Sequence, residues 1–167
     1  MSFNQIKTKL QSERGFTIVE LLIVVVVIGI LAAITLVAYN GVTARANTTS
    51  AKAAASSLIK KIEAYNAEKS GYPATIGALT ASADSGTSYY VPTGTFVFVA
   101  SNPTTAPANP ATLVLSKCGT GTNQAVVTGY STVYWDYQTS AVSTALTTGV
   151  VTGTVNAATV SCAIITA

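Results

Sequence analysis

The chain of 167 residues contains no histidine, and so lacks the base of a histidine triad, histidine metal ligands and the side chain that most often moves protons near neutral pH. Charge is scarce as well. Only 9% of residues are charged, against roughly 25% in ordinary soluble domains. Beyond Gly71 the charged residues are Asp84, Lys117 and Asp136. Asp84 standing alone excludes the acid cluster of a calcium loop, so no metal site is expected. C-G-T-G-T-N-Q, Cys118 to Gln124, has two glycines but neither a following Lys nor a following helix, which makes it a turn and not a phosphate loop. The chain is therefore expected to have no catalytic activity and no cofactor.

The little charge present is uneven. Residues 1–15 hold Lys7, Lys9 and Arg14 against Glu13, while residues 16–167 hold six cations against five acids. A nearly neutral body gives no electrostatic case for nucleic acid as the main partner. Arg45, Lys52, Lys60, Lys61 and Lys69 could form a basic strip, but acids are interleaved with them. Ser56 or Ser57 with Lys60 or Lys61 could be drawn as a nucleophile pair; a solvated helix face explains them better.

What the chain has in abundance is apolar surface, with a mean hydropathy of +0.47. From Leu21 to Ala38 run eighteen residues of which only Thr35 is polar. A helix over Phe16–Ala38 would be about 34 Å long, enough for a bilayer core of roughly 30 Å. The basic flank before it predicts a cytoplasmic amino end and an exported remainder. A cleaved secretory signal would have a shorter apolar stretch, although Ala32 and Ala33 supply small residues for such a site.

After Tyr39 the apolar positions become one-sided. Val37, Gly41, Ala44, Ala51, Ala55, Leu58, Ile62 and Tyr65 recur at spacings of four and three, with Thr48 filling the gap. That period predicts an amphipathic helix continuous with the apolar one, about 54 residues in all and ending at S-G-Y-P, Ser70 to Pro73. Downstream, Thr95–Ala100, Thr112–Ser116, Gln124–Thr128, Ser131–Tyr137, Val150–Val155 and Thr159–Ile165 are strand candidates separated by Pro, Gly, Asn and Ser. No second helical period appears. The expected fold is α+β, a long amino-terminal helix packed on a mostly antiparallel sheet. Residues 16–38 form the membrane half, 39–70 the amphipathic half and 71–167 the β-rich head, the last two making one domain. Tyr130, Tyr134, Trp135 and Tyr137 serve packing on both faces of one strand. Asn47-Thr48-Thr49 is a formal glycosylation triplet, placed on the helix.

Cys118, at the start of a loop, and Cys162, in the last strand candidate, would pair if exported together; two buried free thiols are the alternative. A bridge closing about 45 residues would contribute roughly 4 kcal/mol in the chain-entropy model.

One carboxylate, Glu20, opens the apolar run, in R-G-F-T-I-V-E-L-L from Arg14 to Leu22. An ionisable group there is costly unless it has a partner or a function. This stretch, with its basic leader and full-length apolar run, resembles the amino-terminal signature of type IV pilins and pseudopilins. The resemblance implies a leader of residues 1–15, a cut between Gly15 and Phe16 by a prepilin peptidase, and N-methylation of Phe16. It also implies that Glu20 acts in assembly, its carboxylate meeting the freed amine of a neighbouring copy. Two other readings stay open: Glu20 is protonated and tolerated at the interface, or it neutralises its own amine.

The same resemblance implies a homopolymeric surface filament, related minor pilins, an inner-membrane assembly machine with a separate ATPase, and a single-pass membrane stage before assembly. Ala64–Leu79 resembles the helix end and first loop of several pilins, and the Cys pair resembles their disulfide-closed loop. Many pilins carry Pro where this chain has Val37, which leaves Gly29 as the expected soft point of the helix. A pseudopilin or minor pilin of a secretion or DNA-uptake system, or a monomeric anchored surface protein, are the alternatives.

Overall fold

The computed structural model describes residues 15–121, 126–152, 154–155, 158–159 and 161–164. Residues 1–14 of the expected leader, and Gln124, Ala125, Gly153, Val160 and Ile165 of three strand candidates, lie outside the described residues. The chain divides into two compact units, one up to Gly41 and one from Val42 onward. A single helix, α1 (Ile18–Lys69, 52 residues), runs through both, as the joined apolar and amphipathic periods predict.

In the first unit the helix is apolar on every side and covered on none. Among the large hydrophobic residues from Phe16 to Val42, none is less exposed than Val27, at 49%. The helix satisfies its own backbone, which is what a segment in hydrocarbon must do, and leaves its side chains for a non-aqueous surrounding. Thr35 returns its hydroxyl to the carbonyl of Ala32 at 3.0 Å, so the one polar group in the run is used within the helix.

In the second unit the stripe is buried at Thr48, Ala51, Ala55, Leu58 and Ile62, while Ala44 and Tyr65 are half-buried. Val37 and Gly41, expected at the head of the same stripe, are exposed; they belong to the first unit. Ala51 and Ala55 keep that face of the helix shallow. The helix stops where Ser70 takes a φ of 56°, a left-handed residue that breaks the backbone repeat before Gly71. A one-turn helix, α2 (Gly77–Thr80), and a 3-10 turn (Ser82–Asp84) follow; neither was predicted, because a single turn shows no period.

The sheet is built on two long central strands, β2 (Thr112–Thr120) and β3 (Val126–Asp136), paired antiparallel with a bulge between Cys118 and Gly119. The short β1 (Val97–Phe98) runs parallel to the start of β2, and β8 (Ser161–Ile164) antiparallel to its end. On the other side β3 carries β5 (Leu146–Gly149) and β4 (Ala141–Val142), both antiparallel. Separately, β6 (Thr154–Val155) pairs with β7 (Ala158–Thr159). The sheet is thus mostly antiparallel, as expected, but its strands differ from their expected bounds. Cys118 lies inside β2 and not at the start of a loop, and the candidates on either side of Gly129 form one strand.

The core joins Ala55, Leu58 and Ile62 of α1 to Leu79 of α2, to Tyr89 and Val91 of the loop after it and to Leu113, Leu115 and Tyr130 of the sheet. Each fully buried large side chain contributes about 1.5–3 kcal/mol relative to exposure. Polar links fasten the edges. Tyr130 donates to the carbonyl of Pro73 at 2.5 Å, and burial, with the nearby Tyr65, pushes its pKa up to about 12. Thr148 of β5 donates to the carboxylate of Glu63 on α1. Cys118 and Cys162, opposite each other in β2 and β8, form a disulfide.

Candidate functional site

From Gly15 onward the amino-terminal motif is exposed. Phe16 is 89% exposed and precedes the first helical residue, Ile18. A Cβ built on Gly15 would meet nothing within 4 Å, and its φ is not in the left-handed region. Neither packing against the described residues nor backbone conformation demands a glycine there.

Thr17 and Glu20 form a reciprocal cap on α1. The Glu20 N–H donates to the Thr17 hydroxyl oxygen at 3.2 Å, while the Thr17 N–H donates to Glu20 Oε2 at 2.8 Å. The Thr17 hydroxyl also donates to Oε2, at 2.7 Å. The Thr17 carbonyl accepts from the Leu21 N–H at 3.3 Å, which makes Thr17 the N-cap and Glu20 the third helical residue. Two of the orphan donors at the helix start are satisfied in this way. Phe16 and Leu21 stand at the two staple positions flanking that box and line one depression with Glu20 and Val24, of about 230 Å³.

Glu20 is therefore engaged within its own chain while the Gly15–Phe16 peptide is intact. Thr17 is absent from the expectations drawn from the sequence, although Thr followed three residues later by Glu before an apolar run is a capping signature.

The remaining predicted features lie in the head. Lys61 donates to the carbonyl of Ser88 at 2.6 Å, and Lys69 stands 5.8 Å from the centre of the Tyr89 ring. Tyr130 belongs to the core with Tyr134 packed against it, Trp135 is buried, and Tyr137 donates to the Pro107 carbonyl at 2.7 Å. Thr48 and Thr49 of the formal glycosylation triplet both use their hydroxyls internally, on Asp136 at 3.0 Å and on the Arg45 carbonyl at 2.9 Å. Asp84 sits in the 3-10 turn, and among the described residues no three His, Cys, Asp or Glu side chains gather as metal ligands.

An exposed apolar helix that starts at Gly-Phe-Thr with a capping Glu, and continues into a small helix-and-sheet head, defines the pilin-like class of α+β proteins. The chain matches the prokaryotic N-terminal methylation motif over residues 10–36. It is similar to the fimbrial protein EcpC of Eikenella corrodens, with 41% identity over 64 residues, 38% of this chain and 42% of that protein. The match thus spans less than half the length of either protein. No solved structure matches significantly.

Proposed function

We propose that the chain is a prepilin, the structural subunit of a type IV pilus-like surface filament. It is inserted with residues 1–15 inside, cut between Gly15 and Phe16, methylated on the new Phe16 amine, and polymerised through the helix of residues 16–38. The observation that carries this reading is the pairing of the methylation motif with a helix whose large apolar side chains are all exposed up to Val42. Such a surface is satisfied first by lipid and then by equivalent helices of other copies.

In this reading Gly15 is a recognition residue for a prepilin peptidase, consistent with the open space around it among the described residues. Cleavage converts the Phe16 nitrogen into a charged amine one residue from the Thr17–Glu20 box. Glu20 then exchanges part of its bonding to Thr17 for the amine of a neighbouring copy, and charge pairing sets the register of the bundle. Further partners are related minor pilins and an inner-membrane assembly machine with its own ATPase.

The test is mass spectrometry of the amino terminus in sheared surface material. An N-methylated Phe16 is the expected result. A terminus at Met1, or one downstream of Ala33, would overturn the proposal in favour of a plain anchor or a secreted domain.

A further inference from the structure

Strand β8 is joined to the head by a covalent link as well as by its backbone ladder. All four of its residues are exposed, and among the described residues the core cluster takes nothing from it. The backbone ladder to Ser116–Gly119 of β2 and the disulfide between Cys118 and Cys162, which face each other in that ladder, hold it, and Cys162 Sγ lies 3.4 Å from the Val151 carbonyl oxygen. The β2 side is the reverse. Cys118 and Gly119 are buried, and the far edge of β2 is paired with β3 from Leu113 to Thr120. Backbone hydrogen bonds exchanged with water contribute little net stability, and ordering a short strand opposes them. With no buried side chain to add, the covalent link decides whether the strand stays.

We infer that Cys118–Cys162 is a latch over the edge of β2, and that the partner the opened edge fits is β8 of a second copy. Reduction releases β8 while the rest of the sheet stays folded, and uncovers those N–H and C=O groups of Ser116–Gly119 that face β8 and not β3. An uncovered edge is a template for another strand. The sequence that matches this edge in register, with a thiol opposite Cys118, is already known from the structure: it is Ser161–Ile164 itself. The same strand from a second copy reproduces every contact, so exchange needs no new complementarity. Reoxidation then joins Cys118 of one chain to Cys162 of the other. This inference is independent of the filament reading.

The chemistry balances with external reagents. Dithiothreitol supplies two electrons and two protons, the S–S bond breaks to two thiols, and the reagent closes to its cyclic disulfide. Oxidised glutathione reverses this: one Cys thiolate forms a mixed disulfide, the other displaces the glutathione, and two reduced glutathiones leave.

The experiment uses the full chain in detergent micelles, as an equal mixture of unlabelled and nitrogen-15 chains. After dithiothreitol, amide exchange over Ser161–Ile164 is expected to rise at least tenfold, and over Tyr130–Tyr134 by less than twofold. After reoxidation, mixed-isotope Cys118–Cys162 peptides are expected, increasing with protein concentration. Unchanged exchange in β8, loss of protection throughout β3, only same-isotope bridges, or mixed bridges dominated by Cys118–Cys118 would each overturn the inference.

Discussion

Glu20 has one task in the structure and a second in the proposed function, and a single atom exchange separates them. As the third residue of a capping box it needs an acceptor oxygen for the Thr17 N–H, and Gln supplies one; as a partner for a neighbouring amine it needs a negative charge, and Gln does not. Glu20→Gln is therefore expected to leave the helical circular dichroism of the full chain unchanged while surface filaments, counted in sheared fractions, fall at least tenfold. Thr17→Ala should loosen the helix start by about 1 kcal/mol, read as faster amide exchange over Ile18–Leu21. If the Gln variant assembles normally, the carboxylate is only a cap. Position 149 offers a second residue-scale test. Gly149 has a φ of 70°, and a Cβ there would lie 2.3 Å from the Thr128 carbonyl oxygen and 2.6 Å from the Tyr72 hydroxyl. Gly149→Ala should cost about 1–3 kcal/mol from backbone strain alone, seen as a lower denaturant midpoint with an unchanged slope.

Among the elements, the amphipathic part of α1 was legible because its buried residues, Thr48 to Ile62, keep a strict three-and-four spacing that only one periodic structure explains. The sheet was legible in type but not in bounds. Gly129 looked like punctuation between two strands, yet it lies inside β3, where a Cβ would come within 2.3 Å of the Thr148 carbonyl oxygen; the glycine permits close approach and does not mark a turn. Cys118-Gly119-Thr120 looked like a loop for the same reason, and the bulge there lets β2 continue through it. The junction between α1 and the end of β3 was not legible, because it joins Thr48 to residues 88 and 89 positions away. Thr48 accepts from the Tyr137 N–H at 2.9 Å and donates to Asp136, which also accepts from the Gln138 N–H at 2.9 Å. Desolvation pushes the Asp136 carboxyl up, but the bonds from Gln138, Thr48 and Thr139 outweigh it and hold it below its ordinary value. A lowered folded pKa means that this stability is complete above the unfolded carboxyl range, about 3.9, and is lost as the pH falls through the folded value. Thermal melts of the wild type and of Asp136→Asn should thus differ at pH 6 and converge toward pH 2.

For the whole molecule, the boundary after Gly41 separates two kinds of surface requirement. Every buried position among the described residues lies at or beyond Thr48, so the head closes its core without the first unit. The helix up to Gly41 contributes no buried side chain and leaves a continuous apolar surface far larger than the few hundred Å² that a soluble monomer ordinarily exposes in one patch. Stability and association are therefore expected to reside in different parts of the chain. A chain beginning at Val42 should retain the near-ultraviolet circular dichroism of Tyr130 and Trp135, keep the Cys118–Cys162 bridge, and sediment as a monomer in buffer without detergent. The full chain under the same conditions should form large assemblies that detergent disperses. A shortened chain that melts without cooperativity would show that the apolar helix is part of the folding unit, and one that still assembles would move the polymer contact from the helix to the head.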